Sequence, residues 1–258
     1  MPPTVPRIAE LEAEATWRTV DFISDLHLHE AEPATFEAWR QHLLHTPADA
    51  VFLLGDIFEV WVGDDAVQPG SFEAACRQVL HAASQRLALF FMAGNRDFLL
   101  GQQFAQACGM TLLADPCVLV FEGRRWLLSH GDALCLDDHD YMRFRAEVRS
   151  PAWQQAFLAR PLAERQALAR QLRAQSEARK RSGETYADLD PAATQAWLQA
   201  ANSPVLIHGH THRPASHRLG PGLSREVLSD WDLHAPVPRA EVLRLEARGL
   251  QRLPPAQP

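Results

Sequence analysis

Five short strings in this chain combine carboxylate, imidazole and amide side chains at spacings that can hold metal ions. They are Asp25-Leu26-His27, Gly55-Asp56, Gly94-Asn95-Arg96-Asp97, His130-Gly131-Asp132 and His208-Gly209-His210-Thr211-His212. In extended backbone, residues two apart face the same way. Asp25 and His27 can therefore address one ion, and His210 and His212 can point into one site. Carboxylate oxygen, imidazole nitrogen and amide oxygen form a borderline-hard donor set, which suits Mn²⁺, Fe²⁺ or Zn²⁺ better than Ca²⁺. No thiolate falls within the strings, so a Cys-type structural zinc site is not expected. Asp56 is the natural bridge between two ions. Two ions about 3.5–4 Å apart clamp the attacking and leaving oxygens of an in-line displacement and lower the pKa of a bound water. Singly, an Asp-x-His pair is weak and a Gly-Asp is a turn. Five such strings in order, each after an apolar run, make chance a poor account.

Those apolar runs are the elements that must position the ligands. Residues 19–24, 50–54 and 87–92 read as buried strands ending at Asp25, Asp56 and Asn95. Residues 118–121 and 126–129 flank the polar bend Glu-Gly-Arg-Arg as a hairpin pattern, and the second of them ends at His130. Residues 205–207 end at His208, and 226–228 and 241–245 complete the strand list. Residues 36–44 and 72–83, the latter capped by Ser71, read as helices. Glycines 55, 94, 131 and 209 let the backbone turn beside the ligands. Strands alternating with helices early and hairpin-like strands late predict an α/β sandwich around mixed sheets, and ligands gather where strand ends converge.

Residues 139–200 differ. They are rich in Ala, Gln and Arg, have helical spacing, and hold Arg160, Arg165, Arg170, Arg173, Arg179, Lys180 and Arg181. They read as a helical insertion between core segments 17–138 and 201–248. Its basic residues are either solvated helix faces or a cap over an anionic ligand. Residues 1–16 are expected to form a mobile extension and 249–258 a tail. The 258 residues are 47% hydrophobic and 22% charged, as in an ordinary globular protein. A formal net charge of −7 argues against a nucleic-acid partner. Cys76, Cys108, Cys117 and Cys135 form no C-x-x-C pair and read as reduced core thiols. The N-terminal string lacks the apolar run of a signal peptide, and nothing approaches a membrane span. His208 is expected to hold the strand end or orient a ligand.

In this order, Asp-x-His, Gly-Asp, Gly-Asn, His and Gly-His-x-His resemble the calcineurin-like metallophosphoesterases over residues 18–232. The resemblance implies a four-layer αββα sandwich. By analogy, Asp25, His27, Asp56 and His212 hold one metal, and Asp56, Asn95, His130 and His210 the other. Most members of the family carry His after the Asn of Gly-Asn, where this chain has Arg96. Together with SDLHL, GDIFEVWVGDD, GNRDFL, HGDALCLDD and HGHTHRP, this is similar to the branch of the family that acts in lipid A biosynthesis. That likeness implies hydrolysis of UDP-2,3-diacylglucosamine to 2,3-diacylglucosamine 1-phosphate and UMP with two Mn²⁺. Water would attack the phosphorus next to uridine, at the cytoplasmic face of the inner membrane, with peripheral membrane contact.

The same likeness makes Arg96 catalytic and places Asn95, Arg96, Asp138, Ser176, Lys180 and His210 on the substrate. Bidentate contact from Arg96 to developing phosphate charge fits its chemistry; an ion pair to Asp97 or another acid is the alternative. Asp138 is either a substrate contact or a helix N-cap. Lys180 stands where relatives have a polar residue, and the family's next substrate lysine has no match here, so Arg179, Lys180 or Arg181 can serve instead. Trp153, Phe157, Leu158, Leu162 and Leu168 either line an acyl groove or pack helices. Two competing functions are another phosphodiesterase or phosphatase, which Arg96 and the basic insertion oppose, and a non-catalytic module, which usually loses ligands.

Overall fold

The structure is a computed structural model. It describes residues 4–181 and 187–257, and side chains outside 172–181. In chain order the elements are β1 (Ala9–Glu12), β2 (Thr19–Ile23), α1 (Pro33–His45), β3 (Ala50–Leu54), α2 (Phe72–Ser84), β4 (Ala88–Met92), α3 (Gln102–Cys108), β5 (Met110–Leu113), β6 (Cys117–Phe121) and β7 (Arg124–Ser129). There follow α4 (His139–Val148), α5 (Pro151–Leu158), α6 (Leu162–Arg181), α7 (Pro191–Ala200), β8 (Val205–His208), β9 (Ala215–Gly220), β10 (Leu223–Val227), β11 (Val242–Glu246) and β12 (Gly249–Leu253).

The strands build two six-stranded mixed sheets, β1-β6-β7-β8-β10-β9 and β12-β11-β2-β3-β4-β5. Period-two alternation divides each strand's apolar residues between two faces. Phe22, Phe52, Leu54, Phe90 and Met92 from one sheet meet Leu119, Phe121, Trp126, Leu128 and Ile207 from the other in the inner core. Phe52 and Phe90, paired across β3 and β4, stack at 4.6 Å between centroids. The opposite faces take helices. Ile23, Val51, Leu53, Leu89 and Phe91 pack with Trp39, Leu43, Leu80 and Phe104 of α1–α3. Val118, Val120, Leu127 and Leu206 pack with Ala193, Trp197 and Leu198 of α7. The result is the expected αββα sandwich.

Local signals explain the junctions. Ser71 caps α2, its side chain accepting from Ala74 N, which satisfies an otherwise orphan donor. Glu122 and Gly123 both take positive φ between β6 and β7, as a two-residue hairpin with right-handed strand twist requires.

The structure corrects three boundaries. Residues 1–16 are not simply an extension: β1 pairs in parallel with β6, and Ala9 and Leu11 pack on the inner core. Residues 249–258 are not simply a tail, because β12 closes the edge beside β11 and Ala256 N donates to His42 Nδ1 at 3.1 Å. The insertion does not run to 200, since α7 is an outer layer of the sandwich. These short amphipathic edges bury one face only, so their hydropathy signal is weak.

Helices α4–α6 form the remaining insertion. Arg165, placed among its basic surface residues by sequence, is only 2% exposed. Its guanidinium binds the Asp65 carboxylate and the Val62 carbonyl, tying the insertion to the loop after Asp56. Phe157 is buried in the α1–α3 core, with Trp153, Leu162 and Leu168 packed against it, whereas Leu158 is 41% exposed. Among the described residues, no helix is long and apolar enough to cross a membrane.

Candidate metal centre

The seven nominated ligands lie just beyond the C-terminal ends of β2, β3, β4, β7 and β8, where two sheets present parallel strand ends to one crevice. Backbone bonds lace the loops together. Asp25 N donates to Gly55 O at 3.0 Å, His27 N to Asp56 O at 3.0 Å, and Gly209 N to His130 O at 3.0 Å. The two sheets are joined at Asp25, whose Oδ2 accepts from Ser24 Oγ at 2.5 Å and from His210 N at 2.9 Å.

This convergence requires unusual backbone. Among the described residues, seven non-glycine residues have positive φ, and five are Asp25, His27, Asp56, His210 and His212. Such conformations cost on the order of 1 kcal/mol or more each and persist where surrounding structure over-determines them. Gly94 and Gly209 are required by proximity: a Cβ at Gly94 would strike Asp56, and one at Gly209 would strike Asp25 and Ser24.

The donor atoms face each other. His27 Nε2 and His212 Nε2 approach to 3.3 Å. Asp25 Oδ1, buried and without a hydrogen-bond partner among the described residues, lies 3.3 Å from His212 Nε2. His130 Nδ1 is held by Leu54 O at 2.9 Å, which aims Nε2 at Asn95 Oδ1, 3.0 Å away. His210 Nδ1 reaches the same oxygen at 2.9 Å. Ligand atoms of Asp25, His27 and His212 lie within 4.8 Å of one another, as do those of Asp25, Asp56 and His130. Asp25 is common to both groups; Asp56 enters the second.

The electrostatics describe a site built for positive charge. Burial opposes ionisation of Asp25, yet His212, His130 and His27 hold its carboxyl below the usual range. Burial would depress His130, but Asp56, Asp25 and Asp132 raise its imidazole to about 9. Burial, then His130, lowers His210 to about 4, so it stays a neutral donor. An orphaned carboxylate oxygen, Asp25 Oδ1, amid clustered carboxylates and imidazoles fits a divalent cation, and the oxygen–nitrogen donor set matches the expected chemistry.

Arg96 stands beside this cluster. Its N–H donates to Asp56 Oδ1 at 2.8 Å, and its guanidinium faces Glu59 at 3.6 Å. It does not pair with Asp97. That buried carboxylate accepts from the backbone N–H groups of Gly94 at 2.8 Å and Ile57 at 2.8 Å, so it shapes both ligand loops; burial and then Asp56 push its pKa up to about 6. Asp138 caps α4, accepting from Tyr141 N at 3.0 Å. Ser176 and Lys180 lie outside the described side chains. His208 is buried, its Nδ1 2.8 Å from Gly209 O, and burial pushes its imidazole down to about 3.

Sequence reasoning missed several contributors. Tyr141 and Arg145 of α4 and Arg149, which caps its C-terminal end, lie four apart and form one stripe. Tyr141 stacks on His210 and donates to Asp132 Oδ2 at 2.5 Å; Arg145 Nε binds the same oxygen at 2.8 Å; Arg149 donates to Gly94 O at 2.8 Å. The i, i+4, i+8 spacing was the available signal. Glu59 and Asp230, near His27 and His212, carried none. The four cysteines are free and buried, and burial raises their thiols.

The family profile for calcineurin-like phosphoesterase matches residues 18–214. A Chromobacterium violaceum protein named UDP-2,3-diacylglucosamine hydrolase is 46% identical over 244 residues, covering 91% of this chain and 98% of that protein. One of the same name from Cellvibrio japonicus is 48% identical over 218 residues, covering 81% and 90%. Another from Xanthomonas axonopodis pv. citri is 45% identical over 245 residues, covering 90% and 96%.

Proposed function

The chain belongs to the calcineurin-like phosphoesterase family, and from that premise we propose that it hydrolyses the pyrophosphate bond of UDP-2,3-diacylglucosamine, giving 2,3-diacylglucosamine 1-phosphate and UMP in lipid A biosynthesis. The observation that carries this reading is the site's make-up: seven ligand residues converge with a guanidinium, Arg96, at their edge. Relatives at 45–48% identity named for this substrate support it.

Asp25, His27, Asp56 and His212 would hold one divalent cation, and Asp56, Asn95, His130 and His210 a second, both Mn²⁺ in our reading. Asp25 has one oxygen committed to Ser24 and His210, so Asp56 would be the carboxylate that serves both cations. When bound there, the cations would supply Lewis-acid charge at the phosphoryl oxygens and a nucleophilic water near neutral pH. Arg96 binds the pyrophosphate oxygens and stabilises the charge that grows on them. Asn95 and His210 line the same pocket and orient the phosphate. The α4 stripe holds His210 and the Asn95 loop in place from behind. Asp138, Ser176 and Lys180 contact the substrate's sugar and lipid part in this reading. Exposed basic residues of the insertion favour a peripheral, reversible contact with an anionic bilayer, at the cytoplasmic face of the inner membrane; Arg165, being buried, is not among them.

The test is turnover of UDP-2,3-diacylglucosamine beside cyclic AMP and a phosphopeptide, in H₂¹⁸O. The expected result is turnover of the first alone, with the label in UMP. Turnover of either of the others alone, or label only in the lipid phosphate, overturns the substrate or the site of attack.

A further inference from the structure

Two carboxylates stand behind the pair of histidines, each with an arginine at its back. Glu59 Oε2 lies 3.3 Å from His27 Nδ1, and Glu59 Oε1 lies 3.6 Å from Arg96 Nη1. Asp230 Oδ2 lies 3.8 Å from His212 Nδ1, and Arg239 holds Asp230 at 2.7 and 3.2 Å. With their Nδ1 edges toward the carboxylates, both imidazoles turn Nε2 inward, where the two atoms meet at 3.3 Å.

The arrangement is alike on both sides, but the grips differ. Arg239 binds Asp230 through several hydrogen bonds and fixes it. Arg96 meets Glu59 at a distance beyond hydrogen bonding, so Glu59 restrains the guanidinium electrostatically without seating it. The backbones are anchored: Arg96 N is bound to Asp56 Oδ1, Trp61 N to Arg96 O at 3.0 Å, and Glu59 N to Leu28 O at 3.2 Å. The Arg96 guanidinium, with no hydrogen bond to Glu59, can turn from it toward a stronger acceptor. His27 Nδ1 is buried and has no aligned hydrogen-bond partner among the described residues, leaving Glu59 as the acceptor beside it.

We propose that Glu59 is a positioning residue with two charges in its care: it orients His27 for the cation through one oxygen and holds Arg96 in reserve for the substrate through the other. The Arg96 half rests on the substrate-clamping role given above. When an anionic pyrophosphate enters, the guanidinium leaves Glu59 for the stronger acceptor, while Glu59 stays with His27. A carboxylate that orients a ligating imidazole also raises its basicity, and its loss costs about 10–100-fold in metal affinity.

The experiment compares Glu59→Ala and Glu59→Gln. Mn²⁺ is titrated onto the metal-stripped protein, and free Mn²⁺ is read by electron paramagnetic resonance. Glu59→Ala should weaken binding about 10–100-fold. Glu59→Gln keeps an oxygen acceptor for His27 and should stay within a few-fold of wild type. It removes the charge facing Arg96, so KM for the lipid nucleotide should fall by about two- to fivefold, the worth of a partly exposed ion pair. That fall should vanish when Arg96→Ala is also present. Folded Glu59→Ala, verified by circular dichroism, with wild-type Mn²⁺ affinity overturns the His27 role. An unchanged KM in Glu59→Gln overturns the Arg96 role. If wild type binds Mn²⁺ but leaves the lipid nucleotide intact, the substrate assignment fails while the Mn²⁺ titration still judges Glu59.

Discussion

His27 and His212, 185 positions apart in the chain, direct their Nε2 atoms at each other across 3.3 Å. Two imidazoles hold that approach only when a proton or a cation lies between or beside them, and Asp25 Oδ1, 3.3 Å from His212, adds a negative charge to the same point. Chelation should therefore abolish activity, and Mn²⁺ should restore it. Asp25→Ala should lose most bound metal, measured by elemental analysis of the purified protein. Full metal content and full turnover in that variant would place the centre elsewhere.

Asp56 contributes to both the metal group with His130 and the backbone of Arg96. Its replacement by Ala should remove turnover to below detection. Arg96→Ala is the graded counterpart. It should lower kcat/KM by roughly 10²–10³-fold, the cost of losing one group that meets developing charge, with metal content intact. Normal kinetics in Arg96→Ala would end its assigned role.

His42 makes stability depend on pH. Burial, opposed by Asp21 and reinforced by Arg244 and Arg86, lowers its imidazole from 6.5 to about 4. The unfolded chain thus takes up this proton at higher pH than the folded chain. Stability from this group is complete above about 6.5 and declines as pH falls toward 4, by at most about 1.4 kcal/mol per pH unit. Thermal unfolding at pH 7 and pH 5 should show a larger drop for wild type than for His42→Asn. Equal drops would show that His42 does not carry the effect.

Trp197 tests the corrected boundary of the insertion. It is 4% exposed in the core beneath α7, so Trp197→Ala should cost about 3–5 kcal/mol. Leu158→Ala, at an exposed site on α5, should fall within about 0.5 kcal/mol of wild type. Comparable urea midpoints for the two would return α7 to the insertion.

Much of this protein was legible in order along the chain. The apolar runs of β2, β3, β4 and β8 and the polar strings after them could be read directly, because strands buried on both faces read as continuous apolar runs and ligands gather at strand ends. The seven ligand residues and the αββα class came from that pattern and the family likeness it brought. Strands β1, β5, β9 and β12 were not legible: they are short and half exposed, and what holds them is pairing to a neighbour distant in sequence. Arg165 reads as one more surface charge until the fold buries it against Asp65. Glu59 and Asp97 had no local signature for their roles, and the α4 stripe had only its i, i+4, i+8 spacing. Their roles depend on which oxygen meets which nitrogen across loops, and such contacts form only when both sheets have closed. Residue type and order thus determined which atoms could bind a cation; long-range packing alone decided how those atoms are aimed.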